Sequence, residues 1–312
     1  MGYKLSRRQF GQLVLAGTVV SGFSYLTNKA LAQTPNLNIV GIGSTSIPTD
    51  PTAIPEVKTT ESYSTHQSSV TTDIPPVGLE LVLRSFTTGS TQVIADNGTP
   101  LLEPNEILSG FTSLRDGTLV VAITPLITSR RKATPNRLTF LGASSAKTLI
   151  VSGLNENQQL GSLLGTNDGR LIGLVGSKNG VPPITLVDIN LKTGAISPLS
   201  QITIPKDKRV SNLAECPDGK FYTSLLGFHG ETSLVQLGSN QEKPIVLAQL
   251  KVDGQEWNNG LQNLVCSGTG QLLAFGAMRY QTPNAVYSID KKSGNMTRLE
   301  NFDVTQIALV PG

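Results

Sequence analysis

Short apolar runs flanking a tight polar turn recur along the second part of the chain and predict β-hairpins. In each unit an apolar run precedes an Asp-Gly or Thr-Gly pair, and a second apolar run follows it. Such a pair between apolar runs is a strong signal for a type I′ hairpin turn, because that turn needs positive φ angles. Four of these units occupy residues 111–122, 163–174, 213–224 and 264–275.

The units repeat with a nearly constant period. Their turn glycines are 52, 50 and 51 residues apart, and they are Gly117, Gly169, Gly219 and Gly270. A second hairpin recurs between them, with Gly194 and Gly294 separated by 100 residues, and residues 79–94 follow the same pattern. Each repeat therefore has two hairpins, and a four-stranded unit of this length predicts a β-propeller blade.

The stretch Pro-Asp-Gly-Lys-Phe-Tyr at 217–222 resembles the turn between the first two strands of NHL-, SMP-30- and lactonase-like propellers. This resemblance implies a propeller but no particular member of those families. The Trp-Asp signature of WD40 propellers is absent, and Trp257 is the single tryptophan.

Counting the repeats predicts an all-β, five-bladed propeller at residues 79–312. Residues 33–78 would supply a first strand and a loop rich in Ser, Thr and Pro (44–76). A fifth blade would form from both ends of the chain, with 303–312 as its first strand, 37–43 as its second, and 79–85 and 91–95 outside them. This pairing would remove exposed sheet edges. Two β sandwiches are the alternative. The four continuous blades are placed at about 106–152, 157–205, 208–251 and 258–302.

The first 32 residues resemble a twin-arginine (Tat) export signal. Arg7 and Arg8 lie in Ser-Arg-Arg-Gln-Phe, an apolar stretch at 13–26 follows, and cleavage is expected between Ala32 and Gln33. The apolar stretch is interrupted by Gly, Ser and Thr, and it lacks the length of a spanning helix. An uncleaved membrane anchor and a general secretory signal are the alternatives.

Removal of this signal changes the charge of the protein. The full chain carries +3, and the signal carries +4, so the remainder is about −1. The basic pI of about 8.8 is therefore no sign of a nucleic-acid partner. The resemblance implies the Tat translocase as a partner during export. We expect a monomer without a membrane anchor, in the periplasm, outside the cell, or in a thylakoid lumen if the source is photosynthetic.

The two cysteines, Cys216 and Cys266, are too few for a disulfide scaffold and lack zinc-ligand spacing. Relative to the repeat they are one residue out of register. Since a shift of one residue moves a side chain to the other face of a strand, we predict two separate buried thiols.

The loops that join second to third strands (b–c) and successive blades (d–a) share one face of a propeller, and we expect binding there. The candidate residues carry basic, aromatic or imidazole groups that would converge on one rim. They are Arg130, Arg131, Lys178, His229, Trp257, Arg279 and Tyr280. Such a rim could bind a protein partner or a small ligand bearing a carboxylate, phosphate or sugar. Solvated loop side chains are the alternative interpretation.

Asn212 and Asn263 are 51 residues apart and lie on predicted inner strands, at positions that match Gly110 and Ser162, with Gln306 nearby. These groups could form a polar ring at the channel mouth that holds water, a cation or a sugar.

Sequence features of an enzyme are weak. The inner strands offer mainly Glu215, while glycosidases need a carboxylate pair, and His66 and His229 are the only histidines. We predict no cofactor and no metal, and favour a noncatalytic binding protein over a hydrolase or lactonase acting at the channel mouth.

Replacing the arginine pair (Arg7→Lys with Arg8→Lys) is expected to retain the precursor in the cytoplasm, because the Tat resemblance depends on that pair. Cell fractionation and immunoblotting would measure this. Lys4→Arg, which leaves the pair intact, is the control and should be exported normally. Undiminished export of the Lys-Lys variant would refute the Tat assignment.

Overall fold

The repeated units form antiparallel β strands. The structure is a computed structural model that describes residues 38–45, 80–94, 102, 106–125, 135–141, 146–177, 180–238, 244–281 and 283–310. The predicted signal with Arg7, Arg8, Ala32 and Gln33 lies outside these residues, as does nearly all of the Ser/Thr/Pro-rich segment. Regular structure within the described ranges is entirely β, and they contain no helix long and apolar enough to cross a membrane.

The strands in chain order are β1 (Ile39–Thr45), β2 (Glu80–Ser85), β3 (Thr91–Ile94), β4 (Glu106–Ser113), β5 (Leu119–Pro125), β6 (Arg137–Leu141), β7 (Ala146–Ile150), β8 (Gln158–Gly165), β9 (Leu171–Ser177), β10 (Ile184–Ile189), β11 (Ile196–Ile202), β12 (Arg209–Glu215), β13 (Phe221–Leu226), β14 (Thr232–Leu237), β15 (Pro244–Gln249), β16 (Lys251–Val252), β17 (Gln255–Glu256), β18 (Asn263–Cys266), β19 (Leu272–Gly276), β20 (Ala285–Ile289), β21 (Asn295–Asn301) and β22 (Gln306–Leu309).

These strands pair into five sheets around one axis. Blades 1, 2 and 3 are β4–β7, β8–β11 and β12–β15, and each runs from the axis outward in chain order. Blade 4 is β18–β21, and the short strands β16 and β17 extend its outer edge through a parallel pairing of β16 with β21. The inner strands β4, β8, β12, β18 and β22 contact one another in a closed cycle. The chain is thus a five-bladed β-propeller, as predicted.

The fifth blade is built from both ends of the described chain. Its order is β22-β1-β2-β3, and β1 pairs antiparallel with β22 from Ile39↔Leu309 to Ile42↔Gln306. Strand pairing therefore closes the ring, which confirms the predicted closure and excludes the two-sandwich alternative.

The core consists of apolar layers between adjacent blades. The layer between blades 1 and 2 joins Val120 and Ala122 to Leu160 and Leu171, while Val121, from the other face of β5, packs between blades 5 and 1. Strand β5 is buried from Leu119 to Thr124. Burial on both faces explains why the second strands are continuous apolar runs and do not alternate.

The repeated turns differ from the predicted type. Each glycine N–H donates to the carbonyl three residues earlier, as Gly117 does to Leu114, and Leu114 N–H donates to Thr118 O. Gly117 has φ +82°, but Asp116 is absent from the residues with positive φ. A type I′ turn needs two positive φ angles, so these are three-residue loops that end in a glycine bulge.

Cys216 and Cys266 form a disulfide with a Cα–Cα distance of 5.2 Å, so the prediction of two separate thiols is wrong. Equivalent residues of adjacent blades point the same way around the ring. Side chains that meet across an interface must therefore lie on opposite faces of their blades, and an offset of one residue gives that arrangement. The one-residue offset, from which the sequence analysis predicts separate thiols, is what allows the disulfide to form.

Replacing both cysteines (Cys216→Ser with Cys266→Ser) is expected to lower the free energy of unfolding by about 2–4 kcal/mol, because the unfolded chain loses a constraint on a long loop. Urea denaturation would measure the change, and wild type in reductant should match the variant. Alkylation of both cysteines in the unreduced, denatured protein would contradict the disulfide.

Candidate functional site

The inner strands carry a repeated irregularity beside the channel. Register shifts occur between Leu108 and Gly110 in β4 and between Leu160 and Ser162 in β8. A further shift in β12 spans Asn212. These bulges lie at the positions predicted to form the polar ring. Since a bulge re-aims the side chains that follow it, the bulges determine where the ring groups point.

The amides of this ring join adjacent blades. Asn212 Nδ2 donates to Leu261 O at 2.7 Å, which links blades 3 and 4. Asn263 Oδ1 accepts from Ile307 N at 3.1 Å, and Gln306 Nε2 donates to Leu108 O at 3.1 Å. All three side chains are buried. Asn212 and Asn263 were predicted to contact a ligand, but these bonds give them a role in holding blades together.

A cavity of about 460 Å³ lies in the channel beyond this ring. It is lined by the last residues of the inner strands and by the turns that follow them, including Leu114-Arg115, Thr166-Asn167 and Ser267–Thr269. We call this end of the channel the turn face, and the cavity the turn-face cavity. The turn face is opposite to the face of the b–c and d–a loops, where the sequence predicts binding.

The cavity wall includes a close backbone contact between blades 1 and 2. Gly165 N donates to Thr112 Oγ1 at 2.9 Å. A Cβ on Gly165 would lie 2.0 Å from Ser113 O, so only glycine fits there. The Ser113 hydroxyl in turn donates to Leu309 O of blade 5. The wall is therefore built by strands that touch directly.

Two ionisable side chains from the part of the chain that the structure describes line the turn-face cavity. Glu215 is half-buried, and its Oε2 accepts a 2.7 Å hydrogen bond from Asn167 N. Arg115 is exposed at the rim of the cavity. Among the described residues, no group of three or more His, Cys, Asp or Glu side chains is placed to hold a metal ion.

The opposite face carries exposed aromatic residues on two neighbouring b–c loops. The loop at 227–231 of blade 3 presents Phe228, which is 83 % exposed, and His229 packs edge-on against it with ring centroids 5.3 Å apart. The loop at 277–281 of blade 4 presents Tyr280, which is 94 % exposed. The Arg279 guanidinium lies 5.4 Å from the centre of the Tyr280 ring. We call these four residues the loop-face rim.

Polar contacts from the segments that connect the blades position the rim. Arg279 N donates to Asn258 Oδ1 at 3.0 Å, and Asn258 also lies against Gly230 of the other loop. Lys208 pairs with Glu231, and this hydrogen bond holds the pKa of Glu231 below its ordinary value. A lowered pKa means that this tie persists at neutral pH and is lost only as acid protonates the carboxylate.

The structure brings some of the predicted rim residues together and separates another from them. His229, Arg279 and Tyr280 are exposed on adjacent blades, whereas Arg130, Arg131 and Lys178 lie outside the described residues. The placement of Trp257 at the rim is wrong. Its side chain is fully buried and packs edge-on against Tyr287 at 5.2 Å, because residue 257 is hydrogen-bonded to both Leu250 and Thr232 behind the loops. Phe228 was not predicted, although it directly precedes His229.

Comparison with solved structures finds several similar chains. The chain is similar to a protein of unknown function from Dyadobacter fermentans, with 9 % identity and a TM-score of 0.51 over 78 % of this chain and 75 % of that one. It is also similar to a gluconolactonase from Xanthomonas campestris, with 13 % identity and a TM-score of 0.45 over 73 % and 70 %. A calcium-binding regucalcin from Agrobacterium tumefaciens gives 15 % identity and a TM-score of 0.41 over 75 % and 68 %.

The likeness is one of fold. At these identities the neighbours carry no argument about function. No protein-family model matches the chain, and no curated protein matches it either.

Asn212→Ala is expected to lower the free energy of unfolding by about 1–3 kcal/mol, because it leaves Leu261 O without its donor. Alanine also tolerates poorly the φ of +65° at this position. Chemical denaturation would measure the loss. Ser233→Ala, a substitution of a half-buried polar residue outside the ring, is the comparison. A small loss in the free energy of unfolding that is equal for Asn212→Ala and Ser233→Ala would show that the ring amides do not join the blades.

Proposed function

We propose that the protein is an exported, noncatalytic propeller that binds a protein partner or a small ligand through the loop-face rim. The observation that carries this proposal is the exposure of two large aromatic rings on adjacent b–c loops. Isolated exposed apolar residues are common on protein surfaces. Here two of them accompany a histidine and an arginine on loops that a shared residue, Asn258, holds together.

The composition of the rim fits a binding surface. Tyrosine, phenylalanine and arginine are enriched at interfaces, where rigid rings give contact area at a low entropy cost. Arg279 and, at the start of β12, Arg209 are exposed and form no ion pair with the described carboxylates. The unpaired cation of Arg279 beside the Tyr280 ring favours a partner surface or ligand that carries acidic groups.

Two independent features support export. One is the resemblance of residues 1–32 to a Tat signal. The other is the Cys216–Cys266 disulfide, because such bonds persist in oxidising compartments and are rare in the cytosol. Together they favour the periplasm or the cell surface.

The double variant Arg279→Glu with Tyr280→Ala is expected to weaken partner binding about tenfold or more, because it reverses the unpaired charge and removes the exposed ring. The test is affinity capture from the exported fraction, followed by calorimetry with the purified partner. Arg130→Glu with Arg131→Glu would test the predicted part of the rim in blade 1.

Lys220→Glu is the matched control, since Lys220 is exposed in a turn at the other end of the channel. It should bind like wild type. Equal affinity for wild type and the Arg279/Tyr280 variant, with unchanged melting temperatures, would overturn the proposal.

A further inference from the structure

The turn-face cavity holds two opposite charges that do not pair. Arg115 and Glu215 both line it, yet no ion pair joins them to each other or to another described residue. Arg115 follows the inner strand of blade 1, and Glu215 ends the inner strand of blade 3. The inner strand of blade 2 lies between those two strands. An unpaired cation and an unpaired anion at the wall of one cavity are complementary to a ligand that bears both charges.

Hydrogen bonds hold Glu215 in place without neutralising its charge. Its Oε2 accepts from Asn167 N, and Asn167 Nδ2 donates to Cys216 O at 3.4 Å. Cys216, the residue after Glu215, is joined to Cys266 of blade 4 by the disulfide. Glu215 Oε1 has no partner among the described residues. A carboxylate fixed in this way can accept a further hydrogen bond with little loss of entropy.

The rest of the cavity suits a molecule with apolar side chains and a polar backbone. Leu114, Leu163, Leu264 and other aliphatic residues form much of the wall. Asn263 also lines the cavity. Its Oδ1 accepts from Ile307 N, and its Nδ2 has no partner among the described residues. The volume of about 460 Å³ falls within the usual range for small-molecule sites.

We infer that the turn-face cavity binds a short peptide with free termini and apolar side chains. The peptide carboxylate would bind Arg115, and its ammonium group would bind Glu215. An extended peptide spans about 3.3–3.6 Å per residue, so its two charged termini lie apart from each other, as Arg115 and Glu215 do on blades 1 and 3. This site is at the opposite end of the molecule from the loop-face rim, so the inference does not rest on the proposed function.

The test is calorimetry with the dipeptide Leu-Leu and the tripeptide Leu-Leu-Leu, each compared with its N-acetylated and C-amidated forms. Wild type should bind at least one free peptide saturably, and blocking either terminus should weaken binding about tenfold or more, since each block removes one charge-assisted contact. Arg115→Gln should abolish the difference between free and amidated peptide. Glu215→Gln should abolish the difference between free and acetylated peptide, and it retains an acceptor for Asn167 N.

Arg170→Gln is the matched control, because Arg170 lies in a neighbouring turn, pairs with Asp168 and does not line the cavity. This variant should still bind the free peptide more tightly than either the amidated or the acetylated form. Absence of saturable binding to folded wild type, or binding that ignores the terminal charges, would overturn the inference. Because the rim variants leave the cavity intact, a failure of rim binding leaves this result unaffected.

Discussion

Closure of the ring by the pairing of β1 with β22 is the constraint on which the rest of the molecule depends. Each blade buries both of its faces, so each needs a neighbour on both sides. The closing pair completes two apolar layers at once: Ile42 and Ala308 pack towards blade 1, whereas Ile39 and Ile307 pack towards blade 4. An open ring would expose the outer faces of blades 1 and 4 to water, at a cost that rises with the apolar area exposed.

The same geometry governs polar contacts between blades. A group that links two neighbours must reach across an apolar layer or lie beside the channel, where the inner strands come closest. The amides of Asn212, Asn263 and Gln306 occupy this second position, and each bonds to a main-chain group of the next blade. Such side chains near a channel resemble a ligand site in sequence, because the residue types that satisfy a neighbouring backbone are those that bind polar ligands.

The sequence predicts the architecture well because turn backbones impose residue types. A glycine with positive φ ends every repeated turn, so its spacing reveals the blades, and both chain ends carry recognisable blade strands. The site is harder to predict because it depends on tertiary contacts. Trp257 is in a connecting segment, yet hydrogen bonds from that segment to blade 3 draw the indole into the core. Predicting the bond between Cys216 and Cys266 requires the relative orientation of neighbouring blades, which the repeat alone does not give. Arg115 and Glu215 are far apart in the sequence, and only the fold places both charges at the wall of one cavity.

The order of folding and oxidation is tied to this architecture. Under the proposed Tat route the chain folds where thiols stay reduced, and the disulfide forms after export. That order requires a fold that does not depend on the bond. The disulfide joins blades 3 and 4, which the chain already connects and which share an apolar layer that includes Trp257 and Leu264. The seam between the chain ends relies instead on strand pairing within blade 5 and on the Gln306 amide. On this proposed route the bond would reinforce an interface that is already formed, and the strand pairing that completes the ring would need no oxidation.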